Sequence, residues 1–149
     1  MSEEACPLPK SPREEELSPI RRMLSARRIA VVGLSDDPSR ASYGVAGYLR
    51  SVGKEVVPVN PNHQTIMGMT CYPSLRDVPG QIDLVDVFRR PEYCPGVVED
   101  AITVGAKGIW LQSGIVSPEA QRLAQEARID FVQDRCLMVE HMHQGRPRL

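Results

Sequence analysis

The segment that most constrains the fold is IAVVGLSDDPSR, Ile29–Arg40. Its first five residues, Ile29–Gly33, are apolar or small and predict a short strand that is buried on both faces and ends at a glycine. A polar loop follows, and a helical pattern of apolar residues begins near Tyr43. A strand, a glycine turn and a helix in this order bring free backbone N–H groups and the positive end of the helix to one place. Such a junction is typical of an anion site, most often one for phosphate.

The rest of the chain repeats this alternation of strands and helices. Further strands are predicted at Glu55–Val59, Cys71–Tyr72 (a short edge strand), Leu84–Phe88, Gly108–Leu111 and Asp130–Val132. Helices are predicted at Pro19–Ser25, Tyr43–Ser51, Cys94–Val104 and Pro118–Ala127, with a single turn at Ser74–Asp77 and a polar loop over residues 63–70. The alternation predicts an α/β fold with an open, mostly parallel sheet of five to six strands and helices on both faces.

Composition limits the classes of function. A chain of 149 residues predicts one domain, here residues 16–143, between a flexible tail (1–15) and a short basic tail (144–149). The net charge of −1 gives no field that favours nucleic acid or an anionic membrane. No apolar run has transmembrane length, and the acidic N-terminus does not resemble a signal peptide. Four widely spaced cysteines without a CxxC pair predict a reduced, cytoplasmic protein.

Three predicted strands end at polar or turn-forming residues, namely Gly33, Asn60 and Arg89. In open α/β sheets, ligands bind in the crevice beyond these carboxyl ends. Two features argue against NAD as the ligand. Ser35 occupies the position of the second fingerprint glycine, and the second strand ends in Asn60-Pro61 without the carboxylate that binds the ribose. Arg40 lies within reach of a diphosphate, which a guanidinium binds in a planar fork.

An ordered series of segments resembles a known family. The segments are IAVVGLSDDPSRASYGVAGYL, EVVPVNPN, DLVDVFRRPE, GAKGIWLQSGI and DRCLMVEH, spread over residues 17–143. Together they resemble the small stand-alone CoA-binding proteins of bacteria and archaea, whose fold is similar to the N-terminal domain of the succinyl-CoA synthetase α subunit. The resemblance implies a single Rossmann-like domain that binds coenzyme A or an acyl-CoA.

The resemblance also implies which residues contact CoA. The first loop would hold the diphosphate, the second strand end the adenosine, and the third strand end the departing pantetheine arm. The corresponding residues are Gly33, Leu34, Ser35, Arg40 and Ser42; Val59, Asn60 and Pro61; and Phe88, Arg89 and Pro91. The adjacent Arg89 and Arg90 should face opposite sides, one towards the crevice and one towards solvent.

The predicted function is therefore non-catalytic binding of CoA. No nucleophile, base and acid occur at a recognisable spacing, and the chain has no room for the phosphohistidine domain of the synthetase. Two alternatives remain open: a subunit of an NDP-forming acyl-CoA ligase that needs a partner chain, and an NAD(H)-sensing regulatory module. The sequence also leaves a homodimer open.

The C-terminal segment and two other positions carry separate predictions. Cys136, His141 and His143 could form part of a metal site, but too few further ligands are visible. DRCLMVEH is better interpreted as a clasp in which Leu137 and Val139 pack and Glu140 pairs with an arginine. Trp110 is predicted to be a core residue.

Cys94 is predicted to begin a helix beside the paired arginines. Both features would lower the pKa of its thiol and favour a mixed disulfide with CoA, although a buried, inert cysteine is the alternative.

Overall fold

Short apolar runs form the strands of the protein, which a computed structural model describes over residues 19–144. In chain order the strands are β1 (Arg28–Val32), β2 (Glu55–Val59), β3 (Thr65–Ile66), β4 (Met69–Thr70), β5 (Leu84–Val87), β6 (Gly108–Leu111) and β7 (Asp130–Val132). Five of them pair in parallel in the order β2-β1-β5-β6-β7. The strand order therefore reverses next to β1, as it does in Rossmann-like sheets.

Helices cover both faces of the sheet. They are α1 (residues 19–24), α2 (Ala41–Ser51), α3 (Cys94–Thr103), α4 (Pro118–Glu126) and α5 (Leu137–Gln144). The apolar residues of α1, α2 and α5 share one core cluster, and those of α3 and α4 share the other. The predicted α/β fold, with one parallel sheet between two helical layers, is confirmed. Since both faces are covered, the strands are almost wholly buried and apolar.

The predicted elements agree with the structure except in the segment after β2 and at α5, which was not predicted to be a helix. The segment 63–70, which was predicted to be a loop, contains the β3–β4 hairpin. Met67 and Gly68 turn it with φ of 55° and 76°, the conformation of a two-residue hairpin turn. The predicted edge strand Cys71–Tyr72 is reduced to one parallel bridge between Tyr72 and Val59. The predicted turn at Ser74–Asp77 is a 3-10 helix, Leu75–Asp77.

The C-terminal segment forms a helix that closes one face. Leu137 is buried and Glu140 lies 3.5 Å from Arg135, as predicted. Val139 is 39% exposed, so its predicted packing is wrong, because it lies on the outer side of α5. Trp110 is fully buried as predicted, and its Nε1–H donates to the carbonyl of Arg135 at 2.8 Å. The predicted tails, 1–15 and 144–149, lie outside the described residues, apart from Gln144, which is the last residue of α5.

Asp86 is an unpaired acid in the centre of the sheet. It stands on β5 between Val31 of β1 and Trp110 of β6, and no part of it is exposed. Within residues 19–144, neither of its carboxyl oxygens has a hydrogen-bond partner. Burial therefore raises the pKa of Asp86 well above its ordinary value. At a pH between the unfolded and the folded pKa of Asp86, the folded protein therefore holds a proton that the unfolded chain releases.

This linkage predicts that stability falls as pH rises. The contribution of Asp86 is fully present below the unfolded pKa and is lost as pH rises towards the raised folded pKa, at up to about 1.4 kcal/mol per pH unit. We expect Asp86→Asn to flatten this slope, measured as the free energy of urea unfolding between about pH 4 and pH 8. Glu99→Gln, which removes an exposed carboxylate on α3, should keep the slope. A wild-type slope unchanged in Asp86→Asn would contradict a neutral Asp86.

Candidate functional site

The turn after β1 requires glycine. Gly33 has a φ of +86°, and a Cβ atom there would lie 2.6 Å from the carbonyl oxygen of Phe88. Its N–H donates to Val59 at 2.9 Å, while Phe88 donates to Val32 at 2.8 Å. These bonds join the carboxyl ends of β2, β1 and β5 at a single point. The crevice predicted from the three strand ends is therefore assembled around Gly33.

Side-chain hydrogen bonds hold the following loop in a tight path. The hydroxyl of Ser42 accepts from the N–H of Ser35 at 3.0 Å, and the hydroxyl of Ser35 accepts from Asp37 at 3.0 Å. The Asp37 carboxylate accepts from the N–H and the hydroxyl of Ser39, and these bonds lower its pKa. The loop delivers Arg40 to the start of α2. No side chain caps α2 there, and the first N–H groups of a helix lack partners within the helix.

Asn60 fastens the end of β2 to this loop. Its Nδ2 donates to the carbonyl of Leu34 at 3.0 Å, and its Oδ1 accepts from the N–H of Asn62 at 2.9 Å. Its backbone N–H donates to Tyr72. Asn60 therefore stabilises the turn after β2 through these hydrogen bonds, and its side chain also borders the crevice.

The crevice contains a polar cleft of about 350 Å³ at the start of α2. Five of the predicted contacts line it together: Gly33, Ser35, Arg40, Ser42 and Asn60. Phe88, predicted for the pantetheine wall, lines it as well. Ala41 and His63 also line the cleft, and sequence reasoning missed both. Nδ1 of His63 lies 3.8 Å from the carboxylate of Asp36. His63 follows β2 and Asp36 follows β1, so the two residues meet only in the folded protein.

A smaller recess of about 110 Å³ lies on the other side of β1. Val59, Pro61 and Arg89 line it, so two residues of the predicted adenosine edge border a separate space from Asn60. Pro73 and Ser74, which were not predicted, also line the recess.

Leu34 was predicted to contact CoA, but its side chain is fully buried in the core. Only its carbonyl takes part in the crevice, through Asn60.

A cavity of about 610 Å³ adjoins the polar cleft. The predicted pantetheine residues Phe88, Arg89 and Pro91 form one wall, and Gln112, Ile115 and Met138 form part of the other. The residues of this second wall come from the end of β6 and from α5, and the sequence offered no local signal for them. Ala41 and Phe88 line both the cavity and the polar cleft, so the two spaces are neighbours.

The two adjacent arginines occupy different positions at this border. Arg89 is half-buried, and its guanidinium lies 4.5 Å from the ring centre of Tyr93, which is a cation–π contact. Arg90 is exposed but also borders the cavity, so the two side chains do not divide between crevice and solvent as predicted, because both lie beyond the last strand residue, Val87. The rim of the cavity is therefore positively charged.

The structure contradicts the prediction of a reactive Cys94. Cys94 begins α3 as predicted, but its side chain is fully buried and its thiol donates towards the carbonyls of Arg89 and Arg90 at 3.8 and 3.5 Å. Burial raises the pKa of the thiol to about 11, although Arg89 acts in the opposite direction. Desolvation outweighs the nearby charge, so Cys94 has the surroundings of the alternative, a buried and unactivated cysteine.

Cys136, His141 and His143 have separate surroundings. Cys136 borders the large cavity. Nδ1 of His141 is 2.7 Å from the hydroxyl of Tyr48, and burial lowers the pKa of this imidazole. Between residues 19 and 144, no group of three His, Cys, Asp or Glu side chains is placed to hold a metal ion. The cysteines in that range, Cys71, Cys94 and Cys136, are free.

The helices within residues 19–144 are all too short or too polar to cross a membrane.

Comparisons with known proteins agree with the geometry. Residues 27–142 match the model of a CoA binding domain family. The uncharacterized protein YneT of Bacillus subtilis is 38% identical over 132 residues, which cover 89% of this chain and 96% of YneT. A hypothetical protein of Pyrococcus horikoshii has a solved structure that superposes with a TM-score of 0.82 at 38% identity, over 95% of this chain and 98% of that one.

The same domain occurs in much larger enzymes. The ADP-forming acetate–CoA ligase II of Archaeoglobus fulgidus is 27% identical over 111 residues, which cover 73% of this chain but only 16% of the ligase. A dinucleotide-forming acetyl-coenzyme A synthetase of Ca. Korarchaeum cryptofilum superposes with a TM-score of 0.68 at 28% identity, over 77% of this chain and 27% of the enzyme. With its parallel sheet, its glycine turn and a family match over most of its length, this chain belongs to the CoA-binding domain family.

Proposed function

We propose that this protein binds coenzyme A without catalysing a reaction on it. The observation that carries the proposal is that the polar cleft and the large cavity adjoin at the carboxyl ends of the sheet, while the small recess lies beside the end of β2. The cleft suits the diphosphate, because it combines Arg40 with the open start of an eleven-residue helix. The recess beside Val59 and Pro61 suits the adenosine, and the cavity suits the pantetheine end.

The polar cleft favours CoA over NAD. The strand that would carry a ribose-binding acid ends in Asn60, whose side-chain amide donates to the carbonyl of Leu34 and accepts from the N–H of Asn62. An uncharged edge tolerates the phosphorylated ribose of CoA, whereas a carboxylate would repel it. Family membership supports the same ligand.

The relatives support a binding role that does not depend on further domains of the same chain. YneT is matched over 96% of its length, so the domain accounts for nearly all of that relative. The ligase relatives favour a second candidate, in which this chain is the CoA-binding subunit of an acyl-CoA ligase and a partner chain supplies the rest.

Arg40→Ala tests the diphosphate site. Loss of a charge-assisted hydrogen bond to phosphate should weaken CoA binding by about 1.5–3 kcal/mol, which is roughly a ten- to hundredfold rise in Kd measured by calorimetry. Arg21→Ala is a matched control, because it removes an exposed arginine from α1 on the amino-terminal side of β1. CoA affinity that is equal in the two variants would remove Arg40 from the site.

Titration with NADH against CoA tests the choice of nucleotide. We expect CoA to bind and NADH to bind at least about tenfold more weakly, because the second strand offers its ribose no carboxylate. Native mass spectrometry of protein that was purified without added ligand provides an independent measurement. A tighter complex with NADH would support the sensor alternative and contradict the proposal.

The isolated chain should not turn over acetyl-CoA with ADP and phosphate, and this separates a binding protein from a ligase. The assay is repeated on material that was purified under gentle conditions from the native host. Turnover by the isolated chain would contradict the non-catalytic proposal. A second polypeptide that co-purifies and confers turnover would establish the subunit alternative.

A further inference from the structure

The large cavity beside the polar cleft has the character of a binding space for an aliphatic group. Its volume of about 610 Å³ lies within the range of pockets that enclose small organic ligands. Val45, Phe88, Ile115 and Met138 give it an apolar lining, drawn from α2, the β5 end, the β6 end and α5. Acetate, the acid in the names of the ligase relatives, would fill little of it.

The polar groups of the cavity are concentrated at its rim. Arg89 is held against Tyr93, and Arg90 is exposed. Deeper in, Gln112 is buried and its Oε1 accepts from the N–H of Leu137 at 3.1 Å. A ligand that fits this space therefore has an anionic part outside and an uncharged, apolar part inside, because an unpaired charge inside would be costly.

The cavity adjoins the cleft that is proposed to hold the diphosphate. Ala41 and Phe88 form part of both walls, so a ligand held at Arg40 would reach the cavity along these two residues. We infer that the cavity receives, next to the pantetheine end, the acyl chain of an acyl-CoA thioester, and that the preferred chain is aliphatic and of medium length. This inference rests on the proposed function, since it takes the phosphates of CoA to lie in the cleft.

Chain length provides the direct test. Burial of two methylene groups raises affinity about tenfold. We therefore expect octanoyl-CoA to bind at least about tenfold more tightly than CoA and acetyl-CoA, measured by calorimetry at one salt concentration. Equal affinities for the three ligands would overturn the inference and leave the proposed function standing, because only the thioester of the ligand changes. Absence of binding by all three would overturn the proposed function itself.

Two adjacent β-branched residues provide a matched pair of variants. Ile115 lines the cavity, whereas Val116 is 46% exposed and borders none of the three spaces. Ile115→Asp places a charge beside the acyl chain and should reduce the octanoyl preference to less than about threefold. Val116→Asp should retain it. A preference that persists in Ile115→Asp would place the chain elsewhere and overturn the inference.

A second pair of variants covers the case in which Ile115→Asp does not fold. Gly44 lines the cavity from α2, and Gly96 lies on α3; a Cβ at either position meets nothing within 4 Å. Gly44→Leu narrows the cavity and should lower the ratio of octanoyl-CoA to CoA affinity, whereas Gly96→Leu should not. Taking the ratio within one variant cancels any general change in CoA affinity. An unchanged ratio in Gly44→Leu would contradict an acyl chain at this wall.

Cys136 allows the occupant to be located in the wild-type protein. Its side chain is half-buried and borders the cavity. Alkylation by N-ethylmaleimide, followed by peptide mapping of Cys136, should be slower with saturating octanoyl-CoA than with saturating acetyl-CoA, which, unlike CoA, has no free thiol to consume the reagent. Equal protection by the two ligands would show that the acyl chain does not enter the cavity.

Discussion

The contact between Gly33 and the carbonyl of Phe88 is the constraint on which the rest of the crevice depends. A Cβ at position 33 would lie 2.6 Å from that oxygen, so only glycine lets the loop after β1 pass the end of β5. The passage fixes the start of α2, and with it Arg40 and the open N–H groups of the first turn. Phe88 from this contact and Ala41 from the first turn of α2 line both the polar cleft and the large cavity.

Several polar side chains at the crevice serve the fold first. Ser42 and Asn60 hold the loop through hydrogen bonds to Ser35 and Leu34, and their positions follow from that role. Arg40 is different, because it is exposed and stands at the mouth of the cleft. Substitution of Arg40 therefore tests ligand binding without disturbing the loop. A substitution at Asn60 would alter the loop and the ligand contacts together.

The interior shows how desolvation decides the chemistry of single groups. Asp86 and Cys94 both lie wholly inside, and burial raises the pKa of each. For Cys94 the nearby Arg89 has the opposite effect, but burial is the larger one. The sequence places Cys94 beside arginines and at a helix start, which alone suggests reactivity. The depth of the residue cannot be read from its neighbours in the chain, so that prediction was wrong.

The sequence by itself determined the fold class, the alternation of strands and helices that gives a parallel sheet, and the glycine turn. These features depend on local periodicity and on backbone sterics. It also identified the family, through motifs whose order is specific. Only the tertiary structure decided which residues share a space. Val59 and Pro61 border a different recess from Asn60, and Leu34 is a core residue. The cavity joins the ends of β5 and β6 to α2 and α5. Those elements are distant in the chain, and they meet because parallel strands place their carboxyl ends at one edge of the sheet.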